Sequence, residues 1–241
     1  QAIGGLTFTS GLTDMPPAGW GYSYMDHHGG YFMAIGILAA LTHRSSTGEG
    51  QWVDMSCSEA GASLIGPAVL DYTVNGRPGR RDGSPASNRD GSGTMAPHGI
   101  YATQGDDNWI AISVRDDDEW ALFADEIGEG WATAEQLSTA AGRLGFEDVL
   151  DAEIDRWTRR QDRHELAARL QRYGIPASAV ARPSERIDAD AGTEEWGLWP
   201  TVDHSAMGEV RVDGLPVHFS ETDWEISKAA PTLGEDNDYV F

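Results

Sequence analysis

The sequence predicts an α/β protein with a smaller α+β domain inserted in it. Three observations lead to this prediction. Helix, strand and helix patterns follow one another in the first third of the chain, a long polar stretch then precedes two strands and several amphipathic helices, and short strands return near the end. Alternating patterns of this kind are typical of the α/β class. With 241 residues the chain is long enough to bury one or two cores.

The first predicted element is a buried helix over residues 30–44. Its residues are apolar on every side, and a helix without a polar face is expected to be buried. Residues 51–55 alternate like a strand with one buried face, and a second helix is predicted over residues 58–72. The polar stretch 77–97 that follows is predicted to be a functional loop or a linker, because structureless segments of this length are uncommon inside a domain.

The second half of the chain begins with two predicted strands, residues 98–103 and 108–114. Gly105, Asp106 and Asp107 between them predict a hairpin turn. The acidic run 116–119 is interpreted as the solvated start of a helix. Amphipathic patterns predict two more helices over residues 146–157 and 163–172, and short strands are predicted over 209–212 and 215–219.

Composition limits the classes of partner. The formal net charge is −22, from 39 acidic and 17 basic side chains, so that neither nucleic acid nor a membrane is an expected partner. Cys57 is the only cysteine, which excludes a disulfide framework within the chain and predicts a reduced, cytoplasmic setting. His27 and His28 are adjacent and lack further ligands at a suitable spacing, so no metal site is predicted.

Asp26 is the candidate for chemistry. It stands just before the apolar helix, where a carboxylate is either a helix cap or a reactive group stabilised by the positive helix end. Gly29 and Gly30 follow it; they would let a substrate approach the backbone, and their amides are candidate donors to a developing oxyanion. The residues alone leave capping and catalysis open.

The residues around Asp26 form a pattern that continues along the chain. Asp26-x-x-x-Gly30 is followed by an apolar segment and by Arg44-x-x-Thr47-Gly48-x-Gly50-Gln51-x-Val53-Asp54, and further matches lie at residues 95–101, 105–112, 174–177 and 230–235. This ordered set resembles the class III CoA-transferases, the carnitine dehydratase/bile-acid-inducible protein F (CaiB/BaiF) family.

The resemblance implies an activity and the residues that carry it. Asp26 would be the catalytic carboxylate of an acyl-CoA:carboxylate CoA-transferase, working through aspartyl anhydride and aspartyl-CoA thioester intermediates. The coenzyme A thioester and a carboxylic acid would be the substrates, with no further cofactor. Both substrates are anionic, which makes Arg89, together with Arg80 and Arg81, a candidate for a basic lining. The resemblance does not imply formyl or oxalyl substrates, because no counterpart of the formyl-CoA transferases' glycine-rich loop is evident at residues 88–97.

The resemblance also implies a domain plan. Residues 1–57 would belong to a large Rossmann-like domain, 58–81 to a linker, 82–178 to the small α+β domain, 179–200 to a second linker, and 201–241 to a return segment. Full-length members are expected to form interlocked homodimers. The Rossmann-like half that carries most CoA contacts would lie upstream of Gln1, so the chain is expected to be a piece of a longer polypeptide, and no CoA-contacting residue is assigned.

Two alternatives remain at this point. A 2-methylacyl-CoA racemase or epimerase could use the same scaffold with Asp26 as a base opposite a histidine upstream of Gln1. A non-catalytic CoA-binding subunit is the other possibility, although the retention of Asp26 with its glycines argues against it.

Overall fold

The computed structural model of the chain describes residues 1–12, 15–21, 23–79, 85 and 87–241, and these residues form a mixed helix-and-strand fold. They divide into two compact units, Gln1–Ser178 and Ala179–Phe241. The helices are α1 (Tyr24–Thr47), α2 (Cys57–Leu64), α3 (Gly66–Asn75), α4 (Asp117–Ile127), α5 (Ala140–Gly145), α6 (Glu147–Thr158), α7 (Arg163–Arg172), α8 (Pro183–Asp188), α9 (Ala191–Glu195) and α10 (Asn237–Val240). The strands are β1 (His98–Ala102), β2 (Trp109–Ser113), β3 (Ala177–Ala179), β4 (Thr201–His204) and β5 (Gly208–Arg211). Short 3₁₀ helices lie at Leu6–Thr9 and Glu135–Leu137.

Helix α1 is the longest element, and it begins six residues earlier than predicted. It ends where Gly48 adopts a left-handed conformation (φ 78°) and donates its amide hydrogen to the Arg44 carbonyl at 2.8 Å. Such a C-terminal glycine satisfies a carbonyl that the helix itself leaves free.

The predicted burial of α1 is wrong for the described chain. Ile35 and Leu38 are 64% and 63% exposed, and Met25 and Gly29 are the buried residues of the helix. An apolar pattern indicates that a helix face needs a partner but not which neighbour supplies it. Among the described residues, α1 is buried near its N-terminus and is contacted further along at Gly36, where an added Cβ would lie 3.2 Å from Val53 Cγ1.

Two other predictions in this region are also wrong. Residues 51–55 are irregular rather than a strand. Met55 instead packs against the buried cluster of Leu6, Met25 and Ala60. The single helix predicted over residues 58–72 is two helices that meet at Ile65, because Pro67 in the first turn of α3 starts a new helix more readily than it continues an old one.

The hairpin predicted in the middle of the chain is confirmed. Strands β1 and β2 pair antiparallel, with His98 opposite Ser113 and Ala102 opposite Trp109, and β3 lies on the other side of β2. Helices α4, α6 and α7, which match the amphipathic patterns, cover this sheet with a continuous core. Members with 0% exposure include Ile110, Phe123, Ile154, Leu166 and Leu170.

Arg143 is a buried charge inside this core. Its guanidinium donates hydrogen bonds to the carbonyls of Ala96 and Leu137 at 2.6 and 3.1 Å and forms an ion pair with Asp117 at 3.0 Å. The acidic run 116–119 is therefore only partly a solvated helix start: Asp116 caps α4 by accepting from the Glu119 amide, and Glu119 itself is 8% exposed.

The second unit, Ala179–Phe241, is built around the antiparallel hairpin of β4 and β5, with Thr201 opposite Arg211. The strand predicted at 209–212 is confirmed as β5, shifted by one residue. The strand predicted at 215–219 is wrong. Side chains hold this segment instead of strand pairing: the Trp224 indole donates to the Val217 carbonyl at 2.7 Å, and His218 contacts Asp223 and the Trp196 carbonyl, each at 2.8 Å.

No helix among the described residues has both the length and the apolar character that crossing a membrane requires.

Candidate active site

Asp26 is the third residue of α1. The residue before the helix, Ser23, has a φ of 38° and makes no side-chain cap, while its carbonyl accepts hydrogen bonds from the amides of Asp26 and His27 at 2.8 and 3.2 Å. The Asp26 side chain is exposed, and within the described part of the chain it has no hydrogen-bond or ion-pair partner. The capping explanation for this carboxylate is therefore wrong.

The surroundings of Asp26 favour negative charge. The first turn of an α-helix carries amide hydrogens that the helix does not use, and the aligned peptide dipoles place partial positive charge there. An exposed carboxylate in this turn is stabilised by the helix and remains accessible to a reactant.

Gly29 and Gly30 both lie inside α1, and this position corrects one of their predicted roles. The amide of each residue from the fifth onward in an α-helix donates to the carbonyl four residues earlier. Gly29 and Gly30 are the sixth and seventh residues of α1, so their amides are not available to an oxyanion.

The two glycines differ in what surrounds them. A Cβ atom placed on Gly29 would lie 2.8 Å from Cys57 Sγ, whereas one placed on Gly30 would have no atom within 4 Å. Only Gly30 therefore borders open space into which a substrate could come close.

A row of aromatic rings runs along the start of α1. The ring centroids of Trp20 and Tyr24 are 4.7 Å apart, those of Tyr24 and His28 are 4.0 Å apart, and those of His28 and Tyr31 are 6.4 Å apart. The Nδ1 of His28 hydrogen-bonds to the Tyr24 carbonyl at 2.7 Å. Spacings of three or four residues signal such a row in a helical sequence. His28 is therefore part of an aromatic stack, and no group of three potential metal ligands occurs among the described residues.

A cavity of about 490 Å³ lies beside this row, between the N-terminal loop and the loop around residue 88. Trp20 lines it and also stacks on Tyr24 in the first turn of α1. The described lining residues carry no formal charge; they are Thr9, Ser10, Gly11, Leu12, Met15, Pro16, Ala18, Trp20, Pro85, Ser87 and Asn88.

Arg89 does not contact Asp26. Its guanidinium donates to Asp151 and Asp148 at 2.8 and 2.7 Å and lies 3.7 Å from Glu147, so it is held by acidic residues of α6. Burial opposes its charge, but the hydrogen bonds to Asp148 and Asp151 outweigh burial and raise the pKa of Arg89. Within the described residues Arg89 is therefore bound to α6, and its role in a substrate lining stays a prediction. Arg80 and Arg81 lie outside the described residues.

The loop after Arg89 has a defined shape. The Asp90 carboxylate accepts hydrogen bonds from the amides of Ser92, Thr94 and Met95 at 3.0, 2.8 and 3.2 Å and from the Ser92 hydroxyl. The hydrogen bond from the Ser92 hydroxyl and those from the amides lower the pKa of Asp90 well below its usual value. One carboxylate therefore organises this part of the polar stretch predicted to be a functional loop or a linker.

The fold and the site together define an α/β protein with an accessible carboxylate in the first turn of a long apolar helix. Comparison with known families gives the family: residues 1–237 match CoA-transferase family III, and the chain belongs to that family.

Two curated relatives match the whole chain or nearly all of it. A succinyl-CoA–D-citramalate CoA-transferase of Chloroflexus aurantiacus is 27% identical over 242 residues, which are 100% of this chain and 58% of the relative. A formyl-CoA:oxalate CoA-transferase of Escherichia coli is 31% identical over 250 residues, which cover 98% of this chain and 60% of the relative. The chain thus spans about 60% of the length of these relatives.

Solved structures confirm the fold. A CaiB/BaiF family protein from Brucella suis superposes with a TM-score of 0.86 at 24% identity, over 100% of this chain and 60% of that one. A second structure, from Mycobacterium tuberculosis, gives a TM-score of 0.77 at 19% identity. The α/β class predicted from the sequence is confirmed by these matches; the predicted domain boundaries and the interlocked dimer stay predictions.

Proposed function

We propose that this chain carries the nucleophile of an acyl-CoA:carboxylate CoA-transferase and that Asp26 is that nucleophile. The observation that supports this proposal most is the state of Asp26 in a member of CoA-transferase family III. The carboxylate is exposed, has no partner among the described residues, and lies in the first turn of a helix. A carboxylate with only a structural role would be expected to accept hydrogen bonds, as Asp90 and Asp116 do.

The proposed reaction has two symmetric halves. An Asp26 oxygen attacks the thioester carbonyl of the donor; a C–O bond forms, the C–S bond breaks, and the CoA thiolate leaves with the electron pair. The thiolate then attacks the aspartyl carbonyl of the anhydride, which forms aspartyl-CoA and releases the donor acid as a carboxylate. The acceptor carboxylate attacks aspartyl-CoA in the same way, and the thiolate then takes the acceptor's acyl group and frees Asp26.

Physical chemistry supports a carboxylate in this role. A thiol with a pKa of about 8.5 is a good leaving group, so a carboxylate can displace it, and the energy of the thioester is retained in the anhydride. The anhydride requires donors for the developing oxyanion and protection from water. Unused amides in the first turn of α1 are candidates for the donors, in place of Gly29 and Gly30. The proposal requires no cofactor other than the CoA thioester.

The cavity beside Trp20 is the proposed place for the acyl group. Its described lining is uncharged, and Trp20 connects it to the turn that carries Asp26. The relatives' names include both a succinyl and a formyl donor, so the substrate test covers both types and a longer aliphatic acyl-CoA.

The exposed apolar face of α1 supports an assembly larger than the described chain. We propose that the remainder of a Rossmann-like domain and a second subunit of an interlocked homodimer cover Ile35, Leu38 and their neighbours. Because Cys57 is the only cysteine of the sequence, we also propose that the enzyme works in the cytoplasm. Burying large exposed side chains of this kind would contribute about 1.5–3 kcal/mol each.

Replacement of Asp26 tests the proposal. In the full-length protein, Asp26→Ala and Asp26→Asn are expected to lower the CoA-transfer rate by at least about 1,000-fold, because neither side chain forms the anhydride. Transfer is measured by chromatography of product acyl-CoA with succinyl-, formyl- and hexanoyl-CoA as donors.

Circular dichroism and the thermal midpoint serve as the folding control for these variants, since Asp26 has no structural partner to lose. A variant that retains transfer would refute the role of Asp26. Exchange of the substrate α-proton without transfer would instead support the racemase alternative.

A further inference from the structure

We propose that Gly29 is a positioning residue for Asp26 and that it acts through contact with Cys57 at the start of α2. The inference rests on the proposed function of Asp26 and gives Gly29 a role other than the predicted one of amide donor. The contact lies immediately behind the turn that carries the candidate nucleophile.

Helices α1 and α2 approach each other closely at Gly29. A Cβ on Gly29 would be 2.8 Å from Cys57 Sγ, which is closer than real side chains approach. The next atoms are Met55 Cε at 3.6 Å and Cys57 Cβ at 4.0 Å, both ordinary van der Waals distances. The sulfur atom is therefore the single obstacle to a methyl group at this position.

Gly29 and Asp26 lie on the same helix. Gly29 lies three residues after Asp26, one turn further along the same helix. A second close contact holds the turn: Met25 Sδ and Cε lie 3.3 Å from where a Cβ on Gly61 would be, and Met25 is 8% exposed. Contacts of α1 with α2 on Met25 and on Gly29 thus hold the backbone on both sides of Asp26.

No side chain among the described residues holds the Asp26 carboxylate in place. Because the Asp26 side chain has no hydrogen-bond partner in the described part of the chain, the packing of its backbone determines where it lies. A misplacement of about 1 Å of a reacting group can cost about 100-fold in rate. A methyl group at Gly29 must displace either α1 or Cys57. A displacement of α1 would move Asp26 and so lower the rate of the reaction.

The test is a double-mutant cycle in the full-length protein. Gly29→Ala is expected to lower kcat for CoA transfer about 10- to 100-fold with little change in KM, because the substrate still binds but the nucleophile is displaced. Cys57→Ala is expected to lower kcat by no more than about 3-fold, because it removes the sulfur atom while the packing of Met25 against Ala60 of α2 still holds the turn. The double variant is expected to recover kcat to within about 3-fold, because the sulfur that the methyl group meets is gone.

Gly66→Ala is the matched control, since Gly66 is also helical and a Cβ there meets no atom within 4 Å. It is expected to leave kcat unchanged.

A wild-type kcat in Gly29→Ala, or a low kcat that Cys57→Ala does not restore, would overturn the inference while the proposed function stands. If Gly29→Ala fails to fold, the double variant decides, because it must fold and transfer CoA at nearly the wild-type rate. Absence of transfer by the wild type with every donor tested would overturn the proposed function and this inference with it.

Discussion

The region around the central hairpin and the region around α1 lie in the same compact unit but are built in opposite ways. Between residues 96 and 177 a continuous core buries Phe123, Ile154 and Leu166 completely, and even the charge of Arg143 is enclosed. Between residues 1 and 75 the buried apolar cluster consists of Leu6, Met25 and Ala60, while most of α1 is exposed.

The difference shows which region satisfies its own requirements. The hairpin region packs its buried apolar side chains against one another, whereas α1 presents exposed apolar side chains such as Ile35 and Leu38. The candidate nucleophile lies near the end of α1 that holds the buried residues of this helix, Met25 and Gly29. Local packing therefore positions Asp26, and the apolar length of the helix remains available for other contacts.

Replacement of Arg143 is expected to have the largest effect on stability. A small effect would contradict the difference described between the hairpin region and the region around α1. Arg143→Ala is expected to lower the free energy of unfolding by about 3–5 kcal/mol, because it removes a buried side chain and leaves the Ala96 and Leu137 carbonyls without their donor. Urea denaturation measures this change.

Arg156→Ala is the control, because Arg156 is 66% exposed and pairs with Glu153 on the surface of α6. It is expected to cost no more than about 1 kcal/mol. Equal losses in the two variants would contradict the description of a core closed around Arg143.

The second prediction applies one substitution to both regions. Leu150 is 1% exposed and Leu38 is 63% exposed. In the 241-residue chain, Leu150→Ala is expected to lower the free energy of unfolding by about 2–5 kcal/mol, and Leu38→Ala by less than about 0.5 kcal/mol. Chemical denaturation of the two variants in parallel gives the difference, and a large loss from Leu38→Ala would show that α1 is covered within the chain itself.

The smallest expected effect is in the second unit, Ala179–Phe241, and it concerns the polar contact between His218 and Asp223. Asp223 accepts a hydrogen bond from His218, and this bond, with a second one to the Trp196 carbonyl, raises the pKa of His218 above its usual value. Protonated His218 therefore stabilises the folded chain fully below about pH 6.5, which is the pKa of histidine in the unfolded chain. This stabilisation is lost as the pH rises through the higher pKa of His218 in the folded chain.

An NMR titration of the His218 ring is expected to give a pKa above about 6.5, and His218→Gln is expected to lower the thermal midpoint slightly at pH 6 but not at pH 9. An equal effect at both pH values would show that protonation of His218 does not contribute.

The sequence predicted best what depends on local pattern. The hairpin β1–β2 and helices α4, α6 and α7 are confirmed because periodicity and turn residues lie within each segment. The sequence also predicts that Asp26 lies close to the start of an apolar helix, and in the structure it lies in the first turn of α1.

Properties that depend on distant neighbours could not be read in this way. Arg89 finds its partner Asp151 62 residues away, and the burial of α1 depends on surfaces outside its own pattern. Gly29 and Gly30 are the same residue type, so the sequence does not distinguish them. In the structure a side chain at Gly29 would meet Cys57, whereas one at Gly30 would meet no atom within 4 Å.

The proposed reaction requires that Asp26 becomes covalently attached to substrate. The most direct measurement is mass spectrometry of the peptide containing Asp26 after the full-length protein is incubated with acyl-CoA and then treated with hydroxylamine or borohydride. We expect a hydroxamate or an alcohol at Asp26 that depends on acyl-CoA and is absent from Asp26→Asn. An unmodified Asp26 in protein that is transferring CoA, or modification at another residue, would contradict it.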